Sequence, residues 1–182
     1  MRVIAGTARS LPLKTIEGLD TRPTTDRIKE TLFNVIMGYV PESKFLDLFA
    51  GSGAIGIEAI SRGACECTFV ELNPKAVACI EDNVSFTKFK DKSHIIKADA
   101  VSYVRGLNNI DFDVIFMDPP YGKGLEKQVL SVLKDKKFSA DTLIVIEASL
   151  DEDFSYLDDM GFDITKEKRY KTNKHIFIEK RD

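Results

Sequence analysis

Five short apolar runs of strand length punctuate the chain: Phe45 to Phe49, Thr68-Phe69-Val70, Ile95-Ile96, Val114 to Met117 and Leu143-Ile144-Val145-Ile146. Helix-period segments fill the gaps. Ahead of the first run, Thr24-Thr25-Asp26 opens a helix. Ile28, Leu32, Val35 and Ile36 give it one apolar face, and Gly38 and Pro41 stop it. After the first run, a glycine cluster leads into a helix that lasts to about Arg62, with Gly63 as its C-terminal stop. Asn73 reads as an N-cap with Pro74 at the first helical position, and Val77, Ile80 and Val84 continue that helix. Asp99 is placed to cap a helix through Val104, Leu125 to Leu133 is helical, and a short helix surrounds Tyr156-Leu157. The end of the chain reads as two strands, Phe162 to Arg169 and His175 to Ile178, joined by a turn at Lys171-Thr172-Asn173. Residues 1–23, punctuated by Gly6, Pro12, Gly18 and Pro23, read as irregular or hairpin-like.

Repeated strand–helix units predict an α/β fold, a doubly wound and mostly parallel sheet in which the final hairpin places one antiparallel strand. Ligands of such sheets bind at the carboxyl ends of the strands. That rule lines up residues 47–53, 71–73, 99–100 and 118–121 along one rim. At 182 residues the chain reads as one domain, and a chain of that size buries about 70% of its unfolded surface.

Two segments on that rim carry chemistry. The fourth run ends abruptly in Asp118-Pro119-Pro120-Tyr121. Proline fixes φ and has no N–H, and the residue before it is pushed to extended geometry. A carboxylate, carbonyls and an aromatic ring at a strand end suit a planar amine. The oxygens accept its hydrogens and the ring stacks on its π-face. The second segment is Leu46-Asp47-Leu48-Phe49-Ala50-Gly51-Ser52-Gly53-Ala54-Ile55-Gly56, with Glu71 at the end of the next strand. By spacing alone this is a dinucleotide fingerprint, with Glu71 on ribose hydroxyls and a NAD-dependent oxidoreductase as the consequence. Three features point away from that reading. Asp47 aims a carboxylate at the loop, which repels a pyrophosphate and attracts an amine or sulfonium. Asp99 adds a polar group suited to an adenine amino group. Asp118-Pro119-Pro120-Tyr121 has no role in hydride transfer.

Composition narrows the class further. Hydrophobic residues make up 43% and charged residues 30%, ordinary for a soluble globular protein. No apolar run reaches the roughly 18 residues of a membrane span, and Met1-Arg2-Val3-Ile4-Ala5-Gly6 has no signal-peptide core. Cys65, Cys67 and Cys79 therefore read as reduced thiols of a cytoplasmic protein, with spacing unsuited to zinc, and no metal is expected. The net charge of −3 conceals basic ends: Arg2, Arg9 and Lys14 without an acid, and seven Lys or Arg in residues 166–182. Such ends on an acidic body suit local phosphate contacts.

The stretches 45–59, Val70-Glu71-Leu72-Asn73 and Asp118-Pro119-Pro120-Tyr121 resemble class I S-adenosylmethionine-dependent methyltransferases. Arg2-Val3-Ile4-Ala5-Gly6 and Arg22-Pro23-Thr24-Thr25-Asp26, continuing to Asn34, are similar to one family within that class, the RsmD family. The resemblance covers essentially the whole chain. It implies a Rossmann-like class I methyltransferase fold, with a seven-stranded, mostly parallel sheet, an antiparallel C-terminal strand and helices on both faces. It implies S-adenosyl-L-methionine as cofactor and methylation of the exocyclic N2 of a guanine (position 966 type) in 16S rRNA, within a 30S or assembling small-subunit particle. Carried over by position, Asp47 and the Gly51-Ser52-Gly53 backbone hold the methionine part. Glu71 holds the ribose hydroxyls, Leu72 and Asn73 after it bind the cofactor, and Asp99 and Ala100 hold the adenine. Asp118, Pro119, Pro120 and Tyr121 become catalytic, and Arg9, Arg22, Thr24 and Thr25 bind substrate. Where family members carry a Trp-Arg-Gly-Arg type of stretch, this chain has Thr7-Ala8-Arg9-Ser10 and no tryptophan anywhere.

Other readings stay open on the residues alone. An adenine-N6 or other amino methyltransferase acting on DNA, RNA or protein would use the same tetrapeptide, though no separate target-recognition domain fits in this length. A NAD-binding oxidoreductase and a non-catalytic rRNA assembly factor are the others. The last has no need of Asp118-Pro119-Pro120-Tyr121.

Overall fold

The structure, a computed structural model, describes residues 1–16, 26–138 and 141–181. The chain runs α1 (Asp26–Val35), β1 (Lys44–Leu48), α2 (Ala54–Ser61), β2 (Glu66–Glu71), α3 (Pro74–Phe86), β3 (Ser93–Lys97), α4 (Ala100–Gly106) and β4 (Asn109–Ile110). It continues through β5 (Val114–Met117), α5 (Leu125–Leu133), β6 (Lys137–Phe138), β7 (Leu143–Ser149), β8 (Phe162–Arg169) and β9 (Asn173–Lys180). Seven strands form one sheet in the order β3-β2-β1-β5-β7-β9-β8. All pairings from β3 to β7 are parallel, and β9 runs antiparallel to both β7 and β8. The apolar runs and the terminal hairpin are therefore where the hydrophobic pattern put them. Two details differ. Asn173 belongs to β9, paired with Ser149, so the connecting turn is 170–172. β4 and β6, two residues each, form a separate parallel pair too short to leave a periodic signal.

Strand alternation splits the core into two layers. Phe45, Val114, Phe116, Val145 and Phe177 face Leu32, Phe33, Ile57, Ile60 and Ile80 of α1, α2 and α3. Leu46, Ile115, Ile144 and Ile146 face Val104, Val129, Leu130 and Leu133 of α4 and α5. The caps read from sequence form. Asn73 Oδ1 accepts from Lys75 N at 2.9 Å, and Asp99 Oδ1 from Ser102 N at 2.8 Å. No helix among the described residues is long and apolar enough to cross a membrane.

The N-terminal residues form a hairpin-like turn bridged at Arg2 and Pro12, held down by charge that hydrophobic periodicity did not reveal. Lys29, on the inward face of α1, and Glu58 of α2 are both fully buried, with Nζ and Oε2 3.2 Å apart. Glu58 also accepts from Ile4 N at 2.8 Å, Ala5 N at 3.0 Å and Arg62 Nε at 2.7 Å. Lys29 Nζ donates in addition to the Arg2 carbonyl. Burial holds the Lys29 ammonium below its ordinary range, with Glu58 opposing. At the far side of the sheet, β8 is the outer strand. Asp163 to Arg169 are exposed, and its ladder is broken by a bulge between Ile164 and Lys166.

Candidate active site

From β1 the chain steps outward to β2 and β3 and then returns to the other side, to β5. This reversal opens a crevice above the carboxyl ends of β1 and β5, the place where doubly wound sheets hold ligands. The glycine loop leaves β1 there, and Asp118-Pro119-Pro120-Tyr121 leaves β5.

The loop is shaped by the two acids. Glu71, at the end of β2, accepts from Gly51 N through Oε2 and from Asn73 N through Oε1, both at 2.8 Å. Each carboxylate oxygen keeps lone-pair capacity beyond one hydrogen bond, so Glu71 ties the loop to the strand end and remains able to accept ligand hydroxyls. Asp47 is 2% exposed and its Oδ2 accepts from Gly56 N at 3.0 Å. Burial, and after it the Glu71 charge, pushes its carboxyl up to about 8. At neutral pH Asp47 is therefore largely protonated until a cation arrives, so the repulsion expected of it toward a pyrophosphate is weaker than the sequence suggested.

The glycines divide the labour. Gly51 has φ +57, and a Cβ there would meet nothing within 4 Å, so its backbone borders open space. At Gly56 a Cβ would stand 2.3 Å from Phe69 Cε1 and 2.5 Å from Cys67 Sγ, so this glycine serves the packing of α2 on β2. Ser52 gives its carbonyl to Asn83 Nδ2 at 3.0 Å. Leu72 is 61% exposed just past β2, an apolar surface at the rim. Asp99 and Ala100 begin α4 at the same rim, with one Asp99 oxygen committed to the cap.

On the other side, Pro119 is buried and Pro120 exposed. The Asp118 carboxyl is held well above the ordinary carboxylate range by burial, then by Glu147 and Asp47. Parity explains why these three acids converge. Asp47 aligns with Phe116, and Met117 with Ile146, so Asp47, Asp118 and Glu147 emerge on one face of three adjacent strands. None of the three is paired with Lys or Arg among the described residues. A row of acids without a Lys or Arg partner, beside open backbone at Gly51, fits a ligand that brings its own positive charge.

Sequence reasoning missed Glu147 and what surrounds it. Its Oε1 accepts from Asn173 Nδ2 at 2.6 Å and from the Tyr121 hydroxyl at 3.4 Å. Its Oε2 lies 3.1 Å from His175 Nε2, and His175 Nδ1 lies 3.1 Å from the Tyr170 hydroxyl. The available signal was an acid closing a run of four apolar residues at a strand's carboxyl end, the same position Asp118 holds on β5.

The structure does not gather every expected residue. Arg22, Thr24 and Thr25 lie outside the described residues. Arg9 is exposed on the turn where Thr7 N donates to the Ser61 carbonyl at 2.9 Å and Ala8 N to Ser61 Oγ at 3.0 Å. α2 starts at the rim and ends at Ser61, so Arg9 stands at the opposite end of the sheet from Asp118.

A family model described as conserved hypothetical protein 95 matches residues 1–179. The chain is 38% identical over 157 residues to a Haemophilus influenzae protein named ribosomal RNA small subunit methyltransferase D, covering 84% of this chain and 80% of that protein. Its fold superposes on the solved structure of a candidate methyltransferase, yhhF, of Escherichia coli with TM-score 0.87 and 29% identity, covering 100% and 98% of the two chains. An RNA methyltransferase of Salinibacter ruber in complex with S-adenosyl-L-homocysteine shares the fold at TM-score 0.69 and 16% identity, over 88% of this chain and 95% of that one.

Proposed function

Because the chain belongs to the RsmD family and carries its class I methyltransferase fold, we propose that it methylates the exocyclic N2 of a guanine in the 16S RNA of the small ribosomal subunit. The cofactor is S-adenosylmethionine, which supplies a methyl group already activated on a sulfonium. Glu71 would accept the ribose hydroxyls, the Gly51–Gly53 backbone and Asp47 would border the methionine part, and Leu72, Asp99 and Ala100 the adenine.

The observation that carries the reading is the placement of Asp118 and Tyr121 across the β1/β5 crevice from the glycine loop. An exocyclic amine is a poor nucleophile because its lone pair is delocalised into the ring. The Asp118 carboxylate and the Pro119 carbonyl would accept the two amine hydrogens and draw the nitrogen toward sp³ character. The half-exposed Tyr121 ring would stack on the base. Fixing the amine and excluding water supplies much of the rate effect. The base must reach the pocket unstacked, so an exposed RNA loop suits it better than a duplex. After transfer the nitrogen must shed a proton, which Asp118 in its ionised form would accept. Asp118→Ala should lower kcat by about 10²–10³-fold or more, the range seen when one transition-state contact is lost, with little change in S-adenosylhomocysteine affinity. Equal loss of both would refute this division of roles.

The test is labelled-methyl transfer to unmethylated 30S particles, free 16S RNA and DNA in parallel, with mass mapping of the product. Label on a guanine of the small-subunit RNA is expected. Label in DNA alone, on adenine, or nowhere overturns the proposal.

A further inference from the structure

Glu147 is a buried carboxylate with no Lys or Arg partner among the described residues, in a strand whose other inward positions are apolar. Two of the donors it receives are fixed in the core. Asn173 is 4% exposed and reaches Oε1 at 2.6 Å. His175, fully buried and directly opposite in the β7–β9 register, reaches Oε2 at 3.1 Å. The histidine ring is itself clamped edge-on by Phe116, Tyr170 and Phe177, with centroids 6.1, 5.0 and 6.3 Å away. With Nε2–H given to the carboxylate, Nδ1 accepts the Tyr170 hydroxyl. The remaining polar contact of Glu147 leads outward, to Tyr121.

Tyr121 is 48% exposed on the segment that follows two prolines, and packing alone does not fix its ring. Its hydroxyl meets Glu147 Oε1 at 3.4 Å and lies against Asn173. A hydrogen bond of this length has room to tighten when a base docks against the ring. A purely structural role would be served at lower cost by an apolar residue, because a second carboxylate beside Asp118 is electrostatically unfavourable. We propose that Glu147, locked from β9 by Asn173 and His175, is a positioning residue that sets the pose of the Tyr121 ring against the acceptor base. The inference rests on the amine-methylation reading above. It deepens that reading by making the antiparallel strand part of the acceptor pocket.

The test compares Tyr121→Phe, Glu147→Gln and the double variant, with three readouts: kcat and KM on the RNA substrate, S-adenosylhomocysteine affinity, and the ¹³Cζ resonance of Tyr121 in ¹³C-tyrosine-labelled protein. Each single substitution should lower kcat/KM by about 10- to 100-fold, the scale of a misplaced reacting group, and leave S-adenosylhomocysteine affinity unchanged. The double variant should be no worse than either single one, because Tyr121→Phe removes, and the neutral Glu147→Gln weakens, the same contact. The Tyr121 resonance should shift in Glu147→Gln. Multiplying losses in the double variant, or an unchanged kcat/KM in Tyr121→Phe, overturns the proposal. Tyr121→Phe changes an exposed side chain, so it decides the matter if Glu147→Gln does not fold. An unshifted Tyr121 resonance in folded Glu147→Gln overturns the proposal whatever the substrate. A wild-type protein that methylates no RNA, with the resonance shift present, refutes the functional reading instead.

Discussion

Replacing Glu58 by glutamine tests whether the N-terminal turn is held by a buried charge. In the native chain Glu58 faces Lys29 at 3.2 Å, both side chains are fully buried, and three further donors converge on the same carboxylate. Glu58→Gln leaves an ammonium in the core with no opposite charge. Breaking one side of such a pair costs about 3–5 kcal/mol. For a chain of this size, that is a fall in Tm of about 6–20 °C. The sign with pH follows from Lys29. Burial already depresses its folded pKa from 10.5, and loss of Glu58 removes the attraction that opposes this. A base with a depressed folded pKa binds more protons when unfolded, so stability rises with pH. The Glu58→Gln deficit should therefore be largest at neutral pH and shrink as pH approaches 10.5. Adding Lys29→Met removes the stranded charge, so the double variant should be more stable than Glu58→Gln and lack that pH dependence. Denaturant and thermal unfolding followed by circular dichroism at pH 7 and pH 9.5 would measure both (the two pH values bracket much of the window). A single-variant cost below about 1 kcal/mol, the scale of an exposed pair, would refute the reasoning, as would a double variant less stable than the single one.

The other acids make separable predictions. Asp47 keeps its proton in the fold up to about pH 8 but loses it near 3.8 when unfolded, so its contribution is full below 3.8 and lost as pH rises through about 8. Asp47→Asn, which still accepts from Gly56 N, should abolish that part of the loss of stability between about pH 5 and pH 9 in urea unfolding, while weakening cofactor binding. Gly56→Ala drives a methyl group into Phe69 and Cys67 and should cost about 1–3 kcal/mol by overpacking. Its S-adenosylhomocysteine affinity should be largely kept. Gly51→Ala meets no protein atom but projects into the ligand space. It should weaken S-adenosylhomocysteine binding by about tenfold or more, some 1.4 kcal/mol, with only the strain of a positive φ, about 1–2 kcal/mol, charged to stability. Calorimetric titration beside melting curves separates the two.

Much of the rim was legible because it depends on local rules. Apolar runs mark buried strands. Asn73-Pro74 and Asp99 mark helix starts, and a proline pair after Asp118 marks a strand end. What escaped depends on partners distant in sequence. Lys29 reads as an ordinary helix lysine until Glu58, two elements later, comes to face it. Glu147 reads as a strand-end acid until β9 folds back with Asn173 and His175 opposite it. The hairpin turn moved to 170–172 because the Ser149–Asn173 pairing extends β9 beyond its apolar part. The end of the sheet at which Arg9 stands was likewise hidden, because it depends on the turn packing against Ser61, more than fifty residues away.

The terminal hairpin also guards the sheet against self-association. Without it the sheet would end at β7, whose run Leu143-Ile144-Val145-Ile146 is uncharged, mostly β-branched and buried throughout. As a free edge, that strand would offer a flat, sticky ladder to a second molecule. The hairpin replaces it with β8, where Lys166, Lys168 and Arg169 and the bulge at Ile164/Lys166 make a poor template for another strand. Loss or late docking of β8 and β9 would therefore favour aggregation before it affected any chemistry at the rim.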